Sequence, residues 1–449
     1  FGSDYMRLRE VMYCFVPATG PLAADRSPQS MAVEPVGFNT THELISAMTY
    51  TKAPEFVRMV ESILGSEKFN LALHTYHTRY AYSNATSDQW IACMAEQAPA
   101  NVDLVTMAQG WLKRTGYPTV SVESAVPEGN TLVVTVTQSG FENHAVEAER
   151  YPWVVPIAWA VVQDGQDVVS GLFILDKTSD IIRIDFADRS APSLDECILS
   201  VGRDFSFFGD VNMKCITPKM RIAQALGDTD AVNRYLAYRT IVDDEKAALI
   251  EGTTTAPSGS FLALFGTVLN DANMAPATKA LLLMVEESVP SRPDLSHLYQ
   301  EIADAKDGLL SAAYQAHGDT IVHMYDALAA ASKDGPQKEG LVFRPLKSLL
   351  LGILCYGGFN KLEAAKRALS LLQNSTFMSD RSSAFVKLLN LSAEDESLVG
   401  ALNLNEVFQS IKMEWTAHPI GCEAYISAIC QTDCCKSPVY IRELVNEPF

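Results

Sequence analysis

MTYTKAPEFVRM, residues 48–59, is the stretch on which the reading of this chain turns. Just before it, Thr40-Thr41-His42-Glu43 has the Thr/Glu spacing of a capping box. Leu44, Met48, Val57, Val60 and Leu64 then follow helical periodicity, so the pattern predicts one helix that Gly65 stops. Pro54 falls inside that helix. A proline there removes a backbone hydrogen bond and clashes with the preceding turn, which predicts a kink close to Tyr50.

Working outward, Ser66 is placed to cap a second helix, whose Phe69, Leu73, Tyr76 and Tyr80 share one face. Thr86-Ser87-Asp88-Gln89 has capping-box spacing and opens a third helix carrying Trp90 and Met94. A fourth carries Leu104, Val105, Ala108, Trp111 and Leu112, and Gly116-Tyr117-Pro118 closes it.

The texture then changes. Thr119–Glu123, Thr131–Thr137, Trp153–Val162, Val168–Leu175, Ile181–Phe186 and Glu196–Val201 are rich in Val, Ile, Thr and aromatics, with turn residues between them. This spacing predicts a small β-sandwich. From Thr217 helical patterning returns, through Val232–Ile250, Phe261–Leu269, Thr278–Val285, Leu298–Leu328, Leu341–Leu354, Leu362–Leu372 and Ala424–Ile429. No motif of a named repeat is legible, and a curved stack of helix pairs is the expected architecture. The expected fold is multidomain α+β, with boundaries at 1–118, 119–216 and 217–449.

The 449 residues are 48% hydrophobic and 20% charged, which is ordinary for globular domains. With 35 Lys+Arg against 54 Asp+Glu, the net charge of −19 argues against nucleic acid and anionic lipid surfaces as partners. The apolar run Ser348–Phe359 is shorter than the roughly 20 residues that cross a bilayer. The nine cysteines are scattered, which fits free thiols in a reducing, cytoplasmic setting better than a disulfide framework. Their one cluster, Cys430-x-x-x-Cys434-Cys435, has no His at finger spacing, so no metal is expected there. The sequence begins at Phe1-Gly2-Ser3-Asp4 without Met, which reads as the interior of a longer protein.

Motifs for complete active sites are missing. H-E-x-x-H would place two His one helical turn apart around a Glu base, but the nearest string, His42-Glu43-Leu44-Ile45-Ser46, ends in Ser. His42 and Glu43 therefore read as first-turn helix residues. His74 and His77 share a helix face without an acidic or Cys ligand at matching spacing, and read as a solvated surface. His317 and His323, six apart, share a face poorly and carry no signal. Neither phosphate-binding glycine loop occurs, and there is no G-x-S-x-G nucleophile elbow.

A resemblance enters at the opening stretch. Residues 48–59 resemble the Y-x-K-G-x-x-[VIL]-[ILV]-x-M segment of the aminopeptidase N (alanyl aminopeptidase) family of zinc metallopeptidases. Leu64-Gly65-Ser66-Glu67-Lys68-Phe69 resembles its L-G-E-x-x-F. Tyr76–Thr86 (YHTRYAYSNAT) resembles its Y-x-x-x-[HY]-x-Y-x-N-A-T, with Trp90 where a bulky residue follows. Gly110-Trp111 through Val120 resembles its W-x-x-Q-x-G-[YT]-P-x-[VI]. The resemblance implies the helical end of a thermolysin-like catalytic domain, then a small β-sandwich, then a C-terminal helical superhelix, here incomplete.

It also implies peptide substrates, removal of their N-terminal residues, and zinc. The family's zinc ligands, its general base and its G-x-M-E-N loop have no counterpart in this chain. The resemblance therefore implies an internal piece that binds no zinc and is inactive alone, with the N-terminal catalytic portion of the same enzyme as its partner. One catalytic residue carries over. Tyr50 matches the family tyrosine whose phenol stabilises the oxyanion of the tetrahedral intermediate. Lys52 reads as packing or a surface ion pair. Ala53-Pro54 departs from the family's Gly and bears on where Tyr50 is placed. The alternative reading is a non-catalytic helical scaffold, a peptide-binding protein built on the same frame.

Overall fold

The computed structural model describes residues 3–17, 19–142, 150–187, 189–334, 337–358, 360–432, 434 and 436–446. Phe1, Gly2, Phe359, Cys435 and residues 447–449 of the sequence reading lie outside them.

Thr51 divides what the sequence reads as one helix. Thr41–Leu44 is a 3-10 turn whose preceding Thr40 makes no side-chain cap, and Glu43 instead accepts from the Asn39 backbone N–H at 2.8 Å. Among the described residues seven helices, α1 (Ser3–Cys14), α2 (Pro21–Asp25), α3 (Ala47–Tyr50), α4 (Lys52–Leu64), α5 (Ser66–Arg79), α6 (Ser87–Ala95) and α7 (Leu104–Lys113), precede the first strand. Thr51, at φ −125° and ψ −61°, separates α3 from α4. Pro54 is thereby the third residue of α4. The first turn of a helix uses none of its N–H groups internally, so the proline removes no bond and the expected kink does not arise. The first bond of α4 runs from Glu55 N–H to the Thr51 carbonyl at 3.1 Å. Val57, expected on the core face, is exposed.

Gly65 does end α4, at φ +74°, a backbone conformation that suits glycine. Ser66 does not cap α5; its hydroxyl donates to Glu61 at 3.1 Å. Both halves of the Thr86/Gln89 capping box are present at α6. Asp103 caps α7 by accepting from Val105 and Thr106 N–H.

Among the described residues seven strands follow: β1 (Thr119–Glu128), β2 (Thr131–Ser139), β3 (Val155–Gln163), β4 (Gln166–Leu175), β5 (Ser179–Asp185), β6 (Ile198–Val201) and β7 (Asp210–Met213). They form sheets of order β5-β2-β1-β7 and β4-β3-β6. β2 alternates buried and half-buried residues along almost its whole length, the period-2 signature of a sheet with one face in the core. Val122, Val134 and Val136 from one sheet and Ile157 and Val161 from the other are fully buried. β7 is missing from the expected strands because it has four residues and only Val211 and Met213 are apolar. It pairs with β1 in parallel.

Helices then return as α8 (Pro218–Gly227), α9 (Ala231–Ile250), α10 (Gly259–Asn270), α11 (Pro276–Leu283), α12 (Tyr299–Asp334), α13 (Gln337–Tyr356), α14 (Lys361–Asn374), α15 (Met378–Glu394), α16 (Ser397–Ala401), α17 (Leu404–Thr416), α18 (Pro419–Cys430) and α19 (Ser437–Asn446). Sequence neighbours pack as pairs, α12 with α13, α14 with α15 and α17 with α18. Ala364, Ala368 and Leu372, one helical turn apart, form the buried stripe of α14. The chain divides into two compact units, one running to Asp243 and one beginning at Asp244, so the division falls within α9. Among the described residues no helix is long and apolar enough to cross a membrane.

Candidate active site around Tyr50

Tyr50 is the last residue of α3 and leaves 71% of its surface in solvent. Its neighbours on both sides are tied down. Ser46 and Thr49 form a capping box at the head of α3, and Thr49 Oγ1 also donates to the Leu44 carbonyl at 2.7 Å. Met48 is buried.

Lys52, two residues on, is not at the surface. Its side chain is 0% exposed and its Nζ donates to Asp25 Oδ2 at 2.9 Å, the Arg114 carbonyl at 3.0 Å and the Gly116 carbonyl at 2.7 Å. An ammonium has three N–H donors, and three acceptors receive them. Burial pushes the Lys52 ammonium below its usual range, and the attraction of Asp25 opposes that. Asp25 is 1% exposed; its second oxygen accepts from Ser30 Oγ at 3.1 Å. Gly116, at φ +78°, closes the node from the far side. Its N–H donates to the Asp25 backbone carbonyl at 3.0 Å while its own carbonyl takes Lys52. The left-handed turn that presents both groups at once suits glycine.

Residues far apart in the sequence thus meet here. Gly116 belongs to the Gly-Tyr-Pro segment and Lys52 to the Tyr-x-Lys segment. Trp111 is fully buried, donates Nε1–H to the Val154 carbonyl at 2.8 Å, and packs at a 53° tilt against Trp153 with ring centres 4.8 Å apart. The Lys52 Nζ lies 5.3 Å from the Trp153 ring. The other two segments meet at Trp90, whose ring centre is 6.4 Å from Phe56 and 6.5 Å from Phe69.

A second buried pair fixes α4. Arg7, 8% exposed, grips Glu55, 6% exposed, through two bonds of 2.6 and 2.9 Å. Arg7 also donates to the Asp204 carbonyl at 2.9 Å, and Arg58 pairs with the Asp204 carboxylate. Asp25, Arg7 and Glu55 carry no periodic or motif signal. A buried cation requires a buried partner, but the sequence does not say which acid supplies it.

His42 lies in the 3-10 turn, and His74 and His77 are exposed on α5. His317 is more than the sequence suggests. It interrupts α12 at φ −132°, its Nε2 is 2.8 Å from the Leu262 carbonyl, and its ring stacks on Phe265. Cys430 is exposed and Cys434 half-buried. Among the described residues no three His, Cys, Asp or Glu side chains come together as a metal would need. The donor set of the described residues therefore does not fit the zinc that the resemblance implies. A cleft of about 490 Å³ between the end of α9 and the start of α12 is lined by Leu249, Ile250, Pro257, Glu301 and Asp304. It includes no residue singled out in the sequence, and carboxylates near a helix start have a structural reason in the helix dipole.

The peptidase family M1 domain matches residues 18–111. The family described as a domain of unknown function (DUF3458_C) with ARM repeats matches residues 219–448, which names the repeat that the sequence pattern left unnamed. Aminopeptidase N of Caulobacter vibrioides is 28% identical over 313 residues, 68% of this chain and 34% of that protein. The puromycin-sensitive aminopeptidase of Caenorhabditis elegans is 32% identical over 158 residues, 35% of this chain and 16% of that protein. The chain thus spans at most about a third of these relatives. The crystal structure of Legionella pneumophila aminopeptidase A shares the fold, with a TM-score of 0.73 at 17% identity, over 91% of this chain and 46% of that one. The chain belongs to the DUF3458_C ARM-repeat family, and ahead of those repeats it carries a match to the peptidase family M1 domain, with aminopeptidases N among its relatives.

Proposed function

We propose that this chain is part of a zinc-dependent aminopeptidase that removes N-terminal residues from peptides, with Tyr50 as the oxyanion donor. The observation that carries the reading is an exposed tyrosine held between a capping box and a buried ion pair, inside the residues that match the M1 domain. A phenol stays protonated below pH ~10 and donates one hydrogen bond. Aimed at the oxygen of a scissile carbonyl, it meets a weak acceptor in the ground state and a strong one as the tetrahedral intermediate forms. Such a differential interaction is commonly worth about 10²–10³ in rate.

The metal ligands and the general base are, in this reading, supplied by residues outside this sequence, and the part this chain plays is to place the Tyr50 phenol. In this reading residues 1–118 close the catalytic domain, 119–216 form the β-sandwich and 217–449 belong to the superhelix. Support comes from the change to strands at Thr119 and back to helices at Pro218. A cytoplasmic setting fits the eight described cysteines, all of which are free thiols. The partner is the upstream catalytic portion, and the substrates are peptides.

The test is hydrolysis of aminoacyl-arylamides by the 449-residue chain alone and joined to an upstream segment carrying H-E-x-x-H. The chain alone should be inactive and the joined protein active. Turnover by the isolated chain would overturn the reading, and a joined protein that folds without activity would favour the scaffold alternative.

A further inference from the structure

The geometry points to Lys52 and Asp25 as a pair of positioning residues that set where Tyr50 stands, an inference that rests on the reading of Tyr50 as the oxyanion donor. Upstream, the Ser46–Thr49 box and the buried Met48 hold the backbone of Tyr50, but its side chain is guided little by what surrounds it. Tyr50 is largely exposed, it ends a helix of one turn, and Thr51 beyond it leaves helical geometry. The nearest rigid point downstream is Lys52.

That point is fixed from several directions. Asp25 stands at the end of α2, while Arg114 and Gly116 belong to the segment leaving α7, so the Lys52 acceptors come from two separate parts of the chain. Asp25 is itself held by Ser30 and, through its backbone, by Gly116. A shift of Lys52 would break several bonds at once. Two residues of backbone transmit this constraint to the Cα of Tyr50.

Stability alone does not account for the pair. Taking two charges fully out of water is costly, and well-packed apolar side chains of similar volume serve a core as well or better. What directional hydrogen bonds add over apolar packing is a defined position. Misplacement by about 1 Å can cost about 10²-fold in a reaction that depends on alignment. The pair is therefore assigned to placing the phenol, without touching substrate.

The experiment places 3-fluorotyrosine at position 50 of the 449-residue chain and reads its ¹⁹F resonance. It is read in the parent, in Lys52→Met/Asp25→Asn, and in Asp25→Asn. The double variant leaves no lone buried charge, and Asp25→Asn keeps an oxygen acceptor for Nζ. Circular dichroism and thermal melting establish that each is folded; if the double variant is not, Lys52→Gln/Asp25→Asn replaces it. The expected result is a shifted or split Tyr50 resonance in the double variant and a smaller change in Asp25→Asn, where Nζ keeps three oxygen acceptors but loses its counter-charge. In the active joined protein the double variant should lose at least about tenfold in kcat with KM within about twofold, and Asp25→Asn should lose less. A folded double variant with a parent-like Tyr50 resonance would overturn the inference. The resonance needs no catalysis, so it decides the positioning role even if Tyr50→Phe shows the phenol to be dispensable.

Discussion

Glu55→Gln should destabilise the unit that runs to Asp243 by about 3 kcal/mol. The carboxylate is almost fully buried and accepts two bonds from Arg7, at 2.6 and 2.9 Å. Glutamine matches its shape but offers one oxygen, and its amide would point N–H groups at the N–H groups of the guanidinium. The charge attraction is about 4 kcal/mol for charge centres about 4 Å apart at an effective dielectric constant near 20. Breaking a buried pair by removing one partner commonly costs about 3–5 kcal/mol. Arg7 keeps Asp204, at 3.3 Å from Nε, and Glu10, at 3.4 Å from Nη1, both with exposed carboxylates, which trims the loss. Urea unfolding followed by tryptophan fluorescence is the assay, because Trp90, Trp111, Trp153 and Trp159 all lie in this unit. About 3 kcal/mol is a change of about 10²-fold in the unfolding equilibrium. Since the pair is buried, the difference should persist at high salt. A loss below about 1 kcal/mol, or one that salt abolishes, would refute the reasoning.

Three further outcomes follow from other parts of the chain. Burial, with Asp228 beside it, pushes the Asp230 carboxyl up to about 6 against the attraction of Arg203 and its bonds from Asn233 and Asp204 N–H. The folded state thus binds this proton more tightly than the unfolded chain, so this group's contribution is fully present below pH ~4 and is lost as pH rises to about 6. The amount is about 3 kcal/mol, and Asp230→Asn should flatten that part of the urea-midpoint profile; an unchanged slope would remove the assignment. Pro54→Ala should change stability by less than about 1 kcal/mol, since Pro54 sits in a first turn. A gain near 3 kcal/mol in the same unfolding assay would restore the kinked-helix reading. Gly266→Ala would set a Cβ 2.4 Å from His317 Cε1 and should cost about 1–3 kcal/mol, with His317→Ala relieving it in the double variant; thermal melts that show no cost would contradict this packing.

Much of the fold is legible because burial imposes a period. The alternation of β2 follows from one face meeting the core, whereas on α5 only Phe69 of the predicted face is buried, with Leu73, Tyr76 and Tyr80 half-buried beside it. The Thr86 cap is legible because it is local, with donor and acceptor three residues apart. The Thr40 cap and the continuous helix through Pro54 fail for the complementary reason. Sequence spacing permits them, but Lys52 must reach Asp25, and the chain restarts its helix to put it there. Asp25 is the clearest illegible residue. Ser30 is close in sequence, but Lys52 and Gly116 are 27 and 91 positions away, and only the folded chain brings them to Asp25. β7 is illegible because a four-residue strand pairing with β1 along one edge needs little apolar pattern of its own.

If Tyr50 is the oxyanion donor proposed above, removing its phenol should slow catalysis. The direct measurement is kcat of Tyr50→Phe in the active joined protein, on an aminoacyl-arylamide, with folding verified by melting. The account predicts a fall of about 10²–10³-fold in kcat with little change in KM. A kcat within about threefold of the parent would contradict it.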